Sequence, residues 1–307
     1  MILRNTGTAR NAATAHPLLY IRYMNKVLAF ALCLPFAACT VGDANTGTGD
    51  DTMNPNPNPN PDPNPNPNPN PTPGISGTIA ANTTWTGATA ITGPVMIPLG
   101  VTVTVSPGAA LTLTSGAGIT INGILDIEGT KASPVTVGPD VANGHWSGVD
   151  VKAGGAYTMK YGTQTGGGIY TDGGTATIAD SKMSNANGDY LVMNGGTIDV
   201  QYSTVGEETA PDSTHCNLHF NSATKITFTH NNILNSPYGL MFYGGTGAIF
   251  THNNWISNKA TDIDIEPAPG GTGDFSNSYF SNGQPAGATG LTFTPLAAAR
   301  LIDAGPR

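Results

Sequence analysis

The sequence predicts an all-β solenoid of stacked coils. Three observations predict it. The segment from Phe228 to Glu266 repeats itself: Phe228-Thr229-His230-Asn231-Asn232-Ile233 returns as Phe250-Thr251-His252-Asn253-Asn254-Trp255, offset by about 22 residues, a solenoid-type period. Short runs of alternating apolar and polar residues fill the chain from Val101 onward, separated by Gly, Asn or Ser-Pro-Gly. Composition agrees, with 40 Gly among 307 residues and only 10% charged residues, too few for long solvated helices.

The N-terminal part reads as an address and a tether. Met24 is a better start than Met1, because Asn25-Lys26 lead into the apolar run Val27–Leu34 and then Pro35-Phe36-Ala37-Ala38-Cys39. The run is too short to span a bilayer. Residues 1–38 are therefore expected to be a signal peptide. Residues 39–73 are a linker: Asn54 to Pro73 is nearly pure Asn-Pro, which fixes φ, removes donors and holds each preceding residue extended. Such a polyproline II spacer reaches roughly 60 Å at about 3.1 Å per residue. The small residues Ala37 and Ala38 before Cys39 resemble the lipobox of bacterial lipoproteins. That resemblance implies lipidation of Cys39. With Thr40 in place of an inner-membrane-retaining Asp, it also implies the bacterial outer membrane or cell surface. An ordinary signal peptide cut near Ala38 is the alternative.

Charge excludes one class of partner. All 20 acidic residues follow Cys39 but only eight of the 12 basic ones do, so a chain starting there carries −12. Phosphate backbones need the opposite sign, and no nucleic-acid partner is expected. Cys216 is the only cysteine after Cys39, which leaves no disulfide framework in residues 74–307.

Residues 74–307 form the solenoid. Trp85 and the run to Pro98 are expected to be an irregular first layer covering its end. The strand-like runs Val101–Val105, Ala110–Leu113, Ile119–Ile121 and Ile124–Ile127 follow. Next come Gly129-Thr130, Pro134–Val137 and Trp146-Ser147-Gly148-Val149. From Gly123 to Gly148 this succession resembles the right-handed parallel β-helix, or pectate-lyase-like, family. The ending Leu301-Ile302-Asp303-Ala304-Gly305 resembles that family's usual close. The resemblance implies a right-handed parallel β-helix of about ten coils.

Two strand types align from coil to coil. One begins at Met159, Ile178, Val200, Phe228, Phe250 and Phe275; three residues on lie Gly162, Ser181, Ser203, Asn231, Asn253 and Ser278. These small polar residues suit hydrogen bonding between turns stacked about 4.8 Å apart. His230 and His252 stack at equivalent surface positions without a third ligand. The other type points Val149, Ile169, Leu191, Leu218, Leu240 and Ile263 inward. Asp150, Tyr170, Val192, His219, Met241 and Asp264 then face outward, followed by Lys152, Asp172, Asn194, Asn221, Tyr243 and Glu266.

That outward face is the candidate functional surface. Tyr170, Asn194, Asn221 and Tyr243 offer hydroxyl partners and aromatic faces for a glycan. In the resembled family the substrate cleft runs along such a sheet. Asp150, Asp172, His219, Asp264 and Glu266 are the catalytic candidates. Asp264 and Glu266 alternate about 6–7 Å apart, within the range of glycosidase carboxyl pairs but nonspecific. A lyase of this family implies Asp-held calcium and an Arg or Lys base, yet the only arginines after Cys39 are Arg300 and Arg307. One long coil carries Glu208, His215 and Cys216 just before His219. These four are weak metal-ligand candidates, since His-Cys-x-x-His matches no strong zinc signature. The sequence therefore favours a non-catalytic surface lipoprotein binding a polysaccharide or envelope partner, with no cofactor. A polysaccharide lyase, calcium-dependent in some forms, or a glycoside hydrolase is the alternative.

Overall fold

The computed structural model describes residues 74–209, 215–265, 270–286 and 289–307. The expected signal peptide, Cys39, the Asn-Pro-rich residues of the expected tether and Glu266 lie outside them. The described chain is an all-β parallel solenoid of about nine turns, without a helix. Ten strands, from Thr83–Trp85 to Leu291–Thr292, stack into one continuous parallel sheet.

Each central coil contains three strands, where the sequence showed two. In one coil Thr175–Ala179 belongs to the ten-stranded sheet, Lys182–Ser184 forms a second side and Leu191–Asn194 a third. The second side escaped detection because its strands run only two to four residues in the central coils, too short to display a period of two. The second and third sides are joined at the start by the long strand Ala88–Ile97. Its first half pairs with Ala110–Leu113 and its second with Ile119–Ile121. The first layer is thus regular rather than irregular: Thr83–Trp85 pairs in register with Thr102–Val105, and Trp85 is buried.

The inward files form the core. Met159, Ile178, Val200 and Phe228 follow one another in strict register and are buried. Toward the last coils the filling becomes aromatic. Phe250 and Phe275 stack with centroids 4.6 Å apart, and Phe293 continues the pile at 5.5 Å from Phe275. A side chain of this size contributes roughly 1.5–3 kcal/mol on burial.

The corner between the ten-stranded sheet and the second side uses one left-handed residue per coil. Tyr161, Asp180, Tyr202, His230, His252 and Asn277 all have φ between 47° and 59°. A left-handed residue tightens the bend and turns the next residue inward. That residue is the expected ladder. Ser181 Oγ accepts from Gly162 N, Ser203 Oγ from Ser181 N, Asn231 Oδ1 from Ser203 N, Asn253 Oδ1 from Asn231 N and Ser278 Oγ from Asn253 N, at 2.8–3.2 Å. The ladder satisfies turn amides that no strand partner reaches. His230 and His252 stack outside it at 4.9 Å.

Candidate functional site

The third side presents the predicted face. Val149, Ile169, Leu191, Leu218, Leu240 and Ile263 are neighbours in register and buried. One residue on, Asp150, Tyr170, Val192, His219, Met241 and Asp264 stand in a single file, but Met241, expected to face outward, is buried. In the second file Lys152 pairs with Asp172, but a bulge places Ser222 rather than Asn221 opposite Asn194. Asn221 still reaches its neighbour, its Nδ2 donating to Asn194 Oδ1 at 2.9 Å.

The file distributes the catalytic candidates instead of gathering them. Asp150 and Asp264 are five strand steps apart, roughly 24 Å at about 4.8 Å per step. Asp150 and Asp172 both hold Lys152, at 2.7 and 3.5 Å. The hydrogen bond from Lys152 to Asp150 raises the lysine pKa and keeps the ammonium charged, a poor start for a base. Asp264 accepts from the Tyr243 hydroxyl at 3.3 Å. Burial, then the Asp264 charge, push that phenol up to about 12.

The densest chemistry lies at the centre, around a residue not singled out from the sequence. Asp189 receives His215 Nδ1 at 2.8 Å, the Cys216 amide at 3.1 Å and the Cys216 thiol at 2.9 Å on Oδ1. His219 Nδ1 lies 3.0 Å from its Oδ2. The ligand atoms of Asp189, His215, Cys216 and His219 all fall within 4.8 Å of one another. Burial pushes the Asp189 carboxyl up, but the hydrogen bonds from His219, the thiol and His215 outweigh it and hold it well below the usual carboxylate range. The same bond to Asp189, against a smaller burial effect, raises His219. Burial, then Asp189, push the Cys216 thiol far above its ordinary value, so it is no ready nucleophile. Cys216 is buried, and its sulfur is a polar partner of Asp189.

Asp189 was detectable. It lies two residues before the inward Leu191, as Cys216 lies two before Leu218, and those leucines are paired. Extending the aligned files two residues back places the carboxylate one coil from the thiol. Glu208, the fourth weak ligand candidate, goes elsewhere and pairs with Arg300.

The cluster continues into the polar face. His219 Nε2 lies 3.1 Å from Asn221 Oδ1, and the His219 ring meets the Tyr243 ring edge-on at 5.5 Å. Tyr170, raised by burial and then by the Asp189 charge, flanks the other side. Shallow grooves border the face: one of about 330 Å³ against Tyr170 and Trp146, and one of about 220 Å³ against Asp150, sharing Gly116 and Ser147. A larger concavity, about 590 Å³, sits apart from this chemistry, against Thr112, Thr136 and Thr163.

No family model matches the sequence, and no curated protein or solved structure is significantly similar to it. The fold defines the class, a parallel β-solenoid, and the site must speak for the function.

Proposed function

We propose that this chain is a lipid-anchored protein of the bacterial outer membrane or cell surface. Its solenoid is right-handed and pectate-lyase-like, and its third side binds an extended polysaccharide or related envelope component without cleaving it. The observation that carries the reading is the polar strip of Tyr170, His219, Asn221, Asn194, Tyr243 and Asp264, in which hydrogen bonds join His219, Asn221 and Asn194, another joins Tyr243 to Asp264, and a ring contact links His219 to Tyr243. Pre-ordered hydroxyl, amide and aromatic groups suit sugar hydroxyls and C–H faces and lose little entropy on binding. The separation of Asp150 and Asp172 from Asp264, and the engagement of Lys152, argue against a single catalytic centre. No cofactor is required for this role, and net negative charge disfavours nucleic acid.

Electrophoresis of the protein through gels containing polysaccharides tests the reading. Retardation without new reducing or unsaturated chain ends is expected. The second reading, a polysaccharide lyase or glycoside hydrolase, draws on His219 and Asp264 beside Tyr243. Cleavage lost in His219→Ala or Asp264→Ala establishes it and overturns the binding-only reading. The anchor has a separate test: Cys39→Ser is expected to release the protein from membranes.

A further inference from the structure

We infer that Asp189, His215, Cys216 and His219 form a binding site for a borderline-soft divalent cation of the zinc class. The set is complete in number and mixed in kind: one carboxylate oxygen, two imidazole nitrogens and one sulfur. Nitrogen and sulfur donors select zinc or cobalt over calcium and magnesium, which take oxygen. Calcium, implied for a lyase, does not suit this donor set.

The spacing fits. Tetrahedral arms of about 2.0–2.3 Å need donor–donor separations of roughly 3.3–3.8 Å. Here the carboxylate lies 2.8–3.0 Å from the two imidazoles and the sulfur, and no separation exceeds 4.8 Å. Side-chain rotations that widen the carboxylate contacts and narrow the longest separation bring the four donors toward one centre. Two neighbouring coils supply them, Asp189 from one and the rest from the next, so the site is held by the sheet register itself.

A second observation points the same way. His219 has its other nitrogen, Nε2, 3.1 Å from Asn221 Oδ1, and the Asn221 amide is fixed by its donation to Asn194. An acceptor at Nε2 holds the proton there and leaves the Nδ1 lone pair for a metal. This is the outer-sphere arrangement that orients histidine ligands. Coordination replaces the Cys216 S–H bond by an S–metal bond and releases one proton to the buffer. Any proton on the Nδ1 atoms leaves as well, and Asp189 keeps its charge.

The test uses the purified protein, reduced and stripped with a chelator. Zinc titrated by calorimetry in two buffers of different ionisation enthalpy is expected to bind once per chain with release of at least one proton. Cobalt is expected to give a sulfur-to-metal charge-transfer band. Cys216→Ser, nearly isosteric, is expected to abolish that band, and His215→Ala and Asn221→Ala to weaken binding by about tenfold or more. Excess calcium is expected to leave the zinc titration unchanged. Absence of one-to-one binding, or equal affinity in the parent and all three variants, overturns the site. His219 and Asn221 belong to both sites, but the zinc titration needs no polysaccharide and His215→Ala and Cys216→Ser lie off the strip, so failure of the metal site and failure of the glycan reading are told apart.

Discussion

Arg307, the last residue of the sequence, clasps Asp180 from 127 residues away, with Nε 2.9 Å from Oδ1 and Nη2 3.0 Å from Oδ2. The Asp180 side chain is enclosed, and the guanidinium lies 3.7 Å over the Tyr202 ring. The segment leading there straps several coils: Leu301 N donates to Asn254 Oδ1, Asn232 Nδ2 to Ala304 O and Gly305 N to His230 O. The Arg307 hydrogen bond holds the Asp180 carboxyl below its ordinary value near 3.8. A depressed carboxyl contributes stability above its unfolded pKa and loses it as pH falls through the folded one. Arg307→Gln is therefore expected to lower the melting temperature at pH 7. The gap from the parent should close in acid, below the ordinary value. Thermal melts from pH 7 to 2.5 measure it, and a gap independent of pH refutes the ionic account.

The interior Asn ladder makes a harsher prediction. Asn253 Oδ1 accepts from Asn231 N at 2.8 Å, while its Nδ2 donates to Phe228 O and Phe250 O at 2.6 and 2.7 Å. Asn253→Ala strands the Asn231 N–H and the Phe228 carbonyl and leaves Phe250 O with Ser278 Oγ alone. Since each unsatisfied group costs about 1–3 kcal/mol, a loss of roughly 3 kcal/mol or more is expected. Asn253→Ser is expected to cost less, because Ser181, Ser203 and Ser278 fill the equivalent position and accept from the preceding coil. Denaturant midpoints of the two variants decide between a hydrogen-bonding and a purely packing role.

Asp262 carries the opposite pH signature. Only 3% exposed, it accepts from Asn258 Nδ2 at 2.8 Å, and burial pushes its carboxyl up to about 6. A raised carboxyl favours the folded state below the unfolded value, and that contribution is lost as pH rises through about 6. The loss is about 3 kcal/mol at most. Asp262→Asn keeps the acceptor for Asn258 and removes the charge. It is expected to match the parent near pH 3.5 and to exceed it in stability above pH 6.5. Equal pH profiles for the two proteins would refute the titration.

These cases mark what was legible in the sequence and why. The ladder from Gly162 to Ser278 and both strand files could be read because a period of two and a coil repeat act together over six coils. The second-side strand of each coil could not, since runs such as Thr204–Val205 hold too few residues to alternate. The Asn194–Asn221 neighbourhood follows from the aligned files, but the bulge that puts Ser222 opposite Asn194 is a one-residue slip with no composition signal. Asp189 lay just outside the aligned window. The clasp of Asp180 by Arg307 links residues too distant for any local pattern.

The strip itself yields the functional prediction. Tyr170 and Tyr243 sit on strands three steps apart, roughly 14 Å at about 4.8 Å per step. A ligand touching both must be extended, and short oligosaccharides can reach only one. Tyr243 holds its ring edge against His219 and its hydroxyl on Asp264, so it is presented in one orientation before any ligand arrives. Losing one aromatic contact of this kind is worth about 1 kcal/mol, or roughly fivefold in affinity. Tyr170→Ala and Tyr243→Ala are each expected to reduce polysaccharide retention by about that factor. Their separation makes the effects add, so the double variant should lose roughly 25-fold. A short oligosaccharide should register only one of the two substitutions. Loss in one tyrosine alone, with full-length polysaccharide, would confine the contact to a single coil and refute an extended binding mode along the sheet.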